Sequence, residues 1–180
     1  MTTDREILQL FKEGGREEAF RLLVQSYKER LYWHIRRMVL DHDDADDCLQ
    51  NTFLKAWRSL PGFRGDSGLY TWLFRIATNE TLTFLSKQPT RGDQTVLAAA
   101  ERLPSDAWFD GDALQEALHR SIAKLPPKQK AVFNLRYFEE MPYEKIAEVL
   151  DTSQGALKAS YHHAYEKIKA WMKEEMDAKY

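Results

Sequence analysis

The chain has a single cysteine, Cys48, in 180 residues. Internal disulfides and a cysteine-based zinc site are thereby excluded, and Cys48 reads as a small core or surface residue in a reducing compartment. No uninterrupted apolar run approaches the roughly 18 residues of a membrane-spanning helix. The opening MTTDREILQLF lacks the basic-then-apolar order of a secretory signal. A soluble, cytoplasmic protein with no direct membrane insertion is the expectation.

Basicity is missing as well. The chain carries 26 Lys and Arg against 28 Asp and Glu, for a formal charge of −2. The balance stays flat along its length: 12 against 13 in residues 1–85, 3 against 5 in 86–112, and 11 against 10 in 113–180. A protein that finds DNA unaided draws most of its affinity from neutralised phosphates, so any DNA-binding role here needs help. Enzyme signatures are absent too. There is no phosphate-cradling Gly-rich loop, no Cys/His metal spacing and no nucleophile with a base close in sequence. His162 and His163 are adjacent and would point about 100° apart on a helix, a poor metal clip. The expectation is a non-enzyme with no metal and no cofactor.

What is present is helical periodicity over a 43% hydrophobic chain. Asp4 to Glu13 reads as a short amphipathic helix stopped by Gly14-Gly15, and a long helix follows from Arg16 to about Val39. Arg36 and Arg37 are expected on its solvated face.

The stretch Asp43–Leu85 stands out. Its first helix, about Asp43 to Leu60, gathers Ala45, Leu49, Phe53, Ala56, Trp57 and Leu60 on one side, within about 120° of the wheel. Asp47, Asn51, Lys55 and Arg58 lie opposite, with Gln50 and Leu54 at the edge. The acids Asp43, Asp44, Asp46 and Asp47 suit a helix N-terminus; capping alone explains them, and a docking surface is the alternative. Pro61-Gly62 ends the helix, and Phe63-Arg64-Gly65-Asp66-Ser67-Gly68 forms a loop. The next helix, about Leu69 to Leu85, buries Leu69, Trp72, Leu73, Ile76, Ala77 and Phe84. Its other face shows Tyr70, Thr71, Phe74, Arg75, Thr78 and Asn79. Aromatics on both sides mean burial all round or a working second face. Trp72 reads as core, while Tyr70 and Phe74 stay open between the two. Aromatics beside Arg and Asn are suited to stacking and hydrogen-bonding unpaired bases.

Residues 87–112 lack a sustained period and read as a flexible, partly acidic linker, with one short helix expected at Val96–Leu103. A second helical unit covers 113–180. Leu114, Leu118, Ile122 and Leu125 mark one helix; Pro126-Pro127 opens the next, with Val132, Leu135 and Phe138 inward. A short helix, Pro142 to Leu150, a polar turn Asp151-Thr152-Ser153 and a longer helix then follow. Short helix, tight turn, long helix is the helix-turn-helix arrangement. The outward positions early in its second helix are Gln154, Gly155, Lys158, Ala159, His162 and His163. The fold expected is all-α: two small helical domains, 1–86 and 113–180, joined by a flexible linker.

Two motifs carry a resemblance. DADDCLQNTFLKAWRSLPGFRGDSGLYTWLFRIATN, followed by LPPKQKAVFNLRYFEEMPYEKIAEVLDTSQGALKASYHHAYEKIK, resembles the extracytoplasmic-function (ECF) sigma factors, over nearly the whole chain and in the right order. The resemblance implies core RNA polymerase and promoter DNA as partners, and an anti-sigma factor as a further one. It implies that Asp47, Gln50, Asn51, Leu54, Lys55 and Arg58 contact the polymerase. It implies that Phe63, Arg64, Ser67, Tyr70, Thr71, Arg75 and Asn79 contact the −10 element and hold an unpaired base. Gln154, Lys158, Ala159, His162 and His163 would then face the −35 element.

The chain departs from the family pattern at several points. Asn51 stands where Glu is usual. The recognition helix runs Gly155-Ala156-Leu157-Lys158-Ala159-Ser160, without the arginines that in the family clamp phosphate and read guanine, so the −35 specificity is not carried over. Pro142 replaces a common capping Ser or Thr. A competing reading is an autonomous helix-turn-helix regulator whose N-terminal bundle only dimerises; the flat charge counts against it. Gel shifts separate the two. The isolated chain is predicted to give no specific complex with promoter DNA unless core polymerase is added, and strong binding without polymerase would favour the autonomous regulator.

Overall fold

The computed structural model describes residues 1–88 and 112–179, and among them every regular element is helical. The expected helix at 96–103 lies outside the described residues. The N-terminal unit holds α1 (Asp4–Lys12), α2 (Arg16–Met38), α3 (His42–Ser59) and α4 (Leu69–Lys87). The C-terminal unit holds α5 (Ala113–Ala123), α6 (Pro127–Tyr137), α7 (Tyr143–Leu150) and α8 (Gln154–Ala178).

Local chemistry sets most of the boundaries. Thr3 and Glu6 form a reciprocal capping box at α1. Gly14, at φ 92°, turns the chain into α2, and Gly15 lies so close to α1 that a Cβ there would stand 2.8 Å from Leu10. The cap of α3 is Asp41, one residue before the helix rather than among the four acids within it; its carboxylate accepts from the Asp43 and Asp44 amides at 2.8 and 3.2 Å. At the other end of α3, the Trp57 carbonyl would normally accept from residue 61, but Pro61 has no N–H. The Arg16 guanidinium donates to that carbonyl instead, at 2.7 Å, and lies 3.9 Å over the Trp57 ring. One side chain thus ties the start of α2 to the end of α3.

The buried stripe of α2 runs Ala19, Leu23, Tyr27, Leu31, His34, Ile35 and Met38, and α1, α3 and α4 all pack against this helix. His34 is fully buried, with its Nε2 2.8 Å from the Thr78 hydroxyl of α4 and its ring 5.2 Å from that of Phe74. Burial, followed by repulsion from Arg37, pushes its pKa down to about 3. In the C-terminal unit, Ile122, Leu125, Phe133, Ala164 and Ile168 form a core between α5, α6 and α8. Lys130 is buried and donates from Nζ to the Ala123 carbonyl at the end of α5, and burial lowers its pKa to about 8. Leu114, expected to be inward, is 53% exposed because the buried stripe of α5 is Ala117, Ser121 and Ile122.

The two units do not simply hang from a connector. The larger apolar cluster continues from Leu69, Leu73, Phe74 and Ala77 into Val132, Leu135, Met141, Ile146, Val149 and Leu157. Helix α7 lies against α4, and α6 and α5 touch α2. The solvated face expected for Arg36 and Arg37 is therefore largely covered. Arg36 is 7% exposed and donates to the Val39 carbonyl at 3.2 Å. The Arg37 guanidinium sits 4.0 Å over the Phe138 ring from the other unit. Phe138 also stacks on His119 at 5.8 Å. Burial, then the charges of Arg37 and Arg36, lower the His119 pKa to about 4.

Both histidines titrate below the ordinary 6.5, so the folded state favours their neutral form. That stabilisation is complete above about pH 6.5 and is lost as pH falls towards about 4 for His119 and about 3 for His34. The urea midpoint is predicted to fall between pH 7.5 and 5.5, where carboxylates are still ionised, and the fall should shrink in His119→Gln. Flat, superimposable pH profiles for the two proteins would refute this assignment.

Candidate polymerase and nucleic-acid interface

Three surfaces carry the residues singled out from the sequence. The first is the outer face of α3. Ala45, Cys48, Leu49, Thr52 and Ala56 turn inward, which leaves Asp47, Gln50, Asn51, Leu54, Lys55 and Arg58 exposed in one band. Lys55 reaches across to form an ion pair with Glu80 of α4, so part of its charge is already matched. Leu54 differs from its neighbours. It is 48% exposed in the middle of a polar band, and among the described residues part of its apolar surface stays open, which a partner would gain by covering. Cys48 lies beneath this face, and burial, then the nearby carboxylates, push its thiol up to about 11; it is an inert packing residue.

The second surface is the α3–α4 loop with the outer strip of α4. Phe63 packs its ring 5.1 Å from Trp72, which anchors the loop while Arg64 stays exposed and Ser67 half-exposed. Gly65, at φ 81°, makes the turn that a side chain would resist. Arg75 and Asn79 stand one turn apart and exposed, beside this loop in sequence and on the same helix. These residues could offer a cation, an amide and an aromatic edge to a single strand.

Thr71, expected on this surface, is elsewhere, and Phe74, left open between core and working face, belongs to the core. Thr71 is only 5% exposed and Phe74 is fully buried. Thr71 lies seven residues before Thr78, at nearly the same angle of the wheel, and Thr78 is the hydrogen-bond partner of His34. Of the two readings left open for this face, burial holds at Phe74 and Thr78, where α2 is seated. Tyr70 lies between the two situations, half-buried. Its ring is 4.6 Å from Phe74, Arg30 lies 4.7 Å over it, and its hydroxyl donates to Glu139 Oε2 at 3.0 Å. Burial first, then the Glu139 carboxylate, raise the phenol pKa far above its usual value, so it is a neutral donor throughout.

The third surface is the helix-turn-helix. Asp151 adopts a left-handed conformation at φ 50°, ends α7 and lets the chain turn, and Ser153 caps α8 by accepting from the Ala156 amide. Gln154, Lys158, Ala159, His162 and His163 are all exposed on the first turns of α8. Residues 154, 158 and 162 form one column and 159 and 163 the next. Lys158 Nζ is 5.8 Å from the Tyr143 ring centre, which leans it towards α7. The face presents one cation, one amide, two imidazoles and a small methyl. Glu139, with Arg30 and Arg37 around it, went unnoticed in the sequence because its partners lie on other helices far along the chain.

Comparison with known proteins falls on these same segments. Residues 23–90 match the Sigma-70 region 2 family model and residues 115–168 the Sigma-70 region 4 model. The RNA polymerase sigma-H factor of Pseudomonas aeruginosa is 31% identical, over 92% of this chain and 91% of its own length. The ECF RNA polymerase sigma-E factor of Haemophilus influenzae is 32% identical, over 92% and 93%. Among solved structures, CnrH in complex with the cytosolic domain of CnrY superposes with a TM-score of 0.65 at 24% identity, over 87% of this chain and 89% of that one. The sigma factor RpoE with the anti-sigma factor NepR from Bartonella quintana gives 0.66 at 19%, over 86% and 96%. At those identities the likeness is one of fold.

One position on α8 breaks a local rule. A Cβ on Gly155 would meet nothing within 4 Å, yet glycine in a helix costs up to about 1 kcal/mol against alanine. Gly155→Ala is predicted to stabilise the chain by about 0.5 kcal/mol, read as a higher urea midpoint. A lower midpoint would mean that the space above Gly155 is already filled in solution.

Proposed function

The chain belongs to the ECF RNA polymerase sigma factors, and on that premise we propose that it is a dissociable promoter-specificity subunit acting in the cytoplasm. It contributes contacts and no chemistry of its own. The outer band of α3, centred on Leu54 and flanked by Asp47, Gln50, Asn51, Lys55 and Arg58, docks on core RNA polymerase. The observation that carries this reading is the shared exposure of these six residues on one face of α3, with the apolar Leu54 48% exposed at its centre. Phe63, Arg64, Ser67, Tyr70, Arg75 and Asn79 take the −10 element as an opened single strand. Thr71, buried on α4, supports that surface from below.

Opening a base pair and extruding a base costs a few kcal/mol. Stacking on an aromatic side chain returns about 1–3 kcal/mol per base, so capture of one or two bases is enough to hold the open state. The first turns of α8 meet the −35 element through Gln154, Lys158, Ala159, His162 and His163. With one lysine and no arginine on this face, its affinity alone is low. Docking on the polymerase raises the effective concentration of each weak module beside the DNA, which also suits the flat charge of the chain. An anti-sigma factor is the expected regulatory partner, by analogy with the relatives whose structures were solved with one.

Leu54→Ser tests the docking claim. It alters an exposed side chain, so stability should be unchanged, while affinity for core polymerase falls about tenfold or more. Asn79→Ala should keep polymerase binding and lose permanganate reactivity of the −10 thymines. Unchanged polymerase affinity in the first variant, or full thymine reactivity in the second, would remove the corresponding contact from the assignment.

A further inference from the structure

The first turns of α8 present their outward residues without an arginine, and two of them are histidines, His162 and His163. Their placement follows from what the helix buries. Leu157, Ala164 and Ile168 form the inward stripe of α8. At about 100° per residue, His162 stands almost opposite that stripe and His163 on its flank. Both are exposed. Among the described residues, the one contact of either imidazole is with the other, at 5.9 Å between ring centroids. The cations near them are already drawn aside. On α8, Lys158 leans on the Tyr143 ring, and Lys167 donates to Gln129 of α6 at 3.1 Å. From α5, Arg120 pairs with Glu175 and Lys124 covers Trp171, both towards the far end of α8. From α6, Arg136 lies 4.8 Å over Tyr143, Tyr137 stacks on Phe133, and Lys130 donates to the Ala123 carbonyl. From α7, Lys145 pairs with Glu148. Glu166 is exposed one turn beyond His162. The two imidazoles are left as the groups at the centre of this face that can gain a positive charge.

We propose that His162 and His163 form a proton-dependent clamp on the −35 duplex, so that this face takes up protons as it binds DNA and grips more tightly as pH falls. The clamp rests on the −35 reading of α8 given above. A neutral imidazole has one N–H donor and one acceptor nitrogen, whereas the protonated ring donates from both nitrogens and is a cation. DNA offers acceptors in both places such a helix reaches: phosphate oxygens along the strands, and guanine N7 and O6 in the major groove. Protonation therefore removes the nitrogen that would oppose those acceptors, and adds charge where Lys158 alone supplies it. Histidine is the side chain whose charge ordinarily changes between about pH 5 and 8. In the free chain the two rings stand close to each other, so a positive charge on one opposes a second on its neighbour. A phosphate beside them removes that opposition, and binding thereby draws in the proton. Arginine at either position would be charged at every pH and would give a constant grip.

The test uses the full chain and an end-labelled, non-specific duplex of roughly 20 base pairs at low salt, where phosphate contacts dominate binding. By fluorescence anisotropy, affinity should rise about tenfold from about pH 8 to about pH 6, and the salt slope should steepen by about 0.9 for each imidazolium that meets a phosphate. His162→Gln with His163→Gln should lose both effects, and His162→Arg with His163→Arg should bind tightly with neither. Both positions are exposed, so these substitutions should leave the fold unchanged. Ring signals in NMR give the direct readout. Adding duplex should move the titration midpoints of His162 and His163 upward and leave His42, held by Tyr32 and Asp46, where it is. His34 and His119 are buried and neutral over this range, and every variant retains them, so any loss of stability at lower pH is common to all. Duplex that perturbs Gln154 and Lys158 without moving either imidazole midpoint overturns the clamp and leaves the −35 reading in place. A pH gain that survives in the double glutamine variant does the same. Duplex that perturbs no residue of α8 at either pH removes the −35 reading, and the clamp with it.

Discussion

The N-terminal unit depends on the burial of α4 from more than one side. A helix carrying Leu69, Leu73, Phe74 and Ala77 at or near zero exposure has too broad an apolar surface for one neighbour to cover. Helix α2 takes one side, where His34 bonds Thr78 and rests on Phe74. Helix α3 takes a second and α7 a third. What escapes burial is a narrow strip, Arg75, Asn79 and Thr83 with the helix end at Ser86 and Lys87, and the loop in front of them. The same packing that stabilises α4 selects which of its residues can meet a partner.

His34 shows how little freedom the arrangement leaves. A fully buried imidazole is tolerated because it is neutral and because Thr78 meets one of its nitrogens. The threonines at 71, 78 and 81 are small enough for helices to approach closely, and the 81 hydroxyl satisfies itself on the Ala77 carbonyl. A larger polar residue at any of the three would have to push α2 or α3 away from α4. Arg16, filling in for the donor that Pro61 lacks, does the corresponding job at the far end of α3.

Elements set by neighbours in sequence were legible before any coordinates. The ends of α1, the start of α2, the Pro61 stop and the Ser153 cap all follow from residues within four positions of one another. The outward band of α3 and the column on α8 were equally legible, because one-sided periodicity states which face is left over. Thr71, Arg36 and Leu114 were misplaced, and Phe74 stayed open, for a common reason: each lies where a second or third helix decides burial, and periodicity cannot say how many neighbours a helix has. Glu139 was invisible for the same reason in sharper form. Nothing local distinguishes it from Glu140, and its partners Arg30 and Tyr70 are 109 and 69 residues away.

The flat charge and the shared core belong to one design. A strongly basic C-terminal unit would bind DNA without help, and would also be repelled by Arg30, Arg36 and Arg37 at the boundary it now rests against. Glu139 reverses that repulsion at one point, while Arg37 over Phe138 shows the other way to seat a cation, on an aromatic face. The flat charge and the joined core come from one allocation of charge: acid at the inner boundary, little excess base outside.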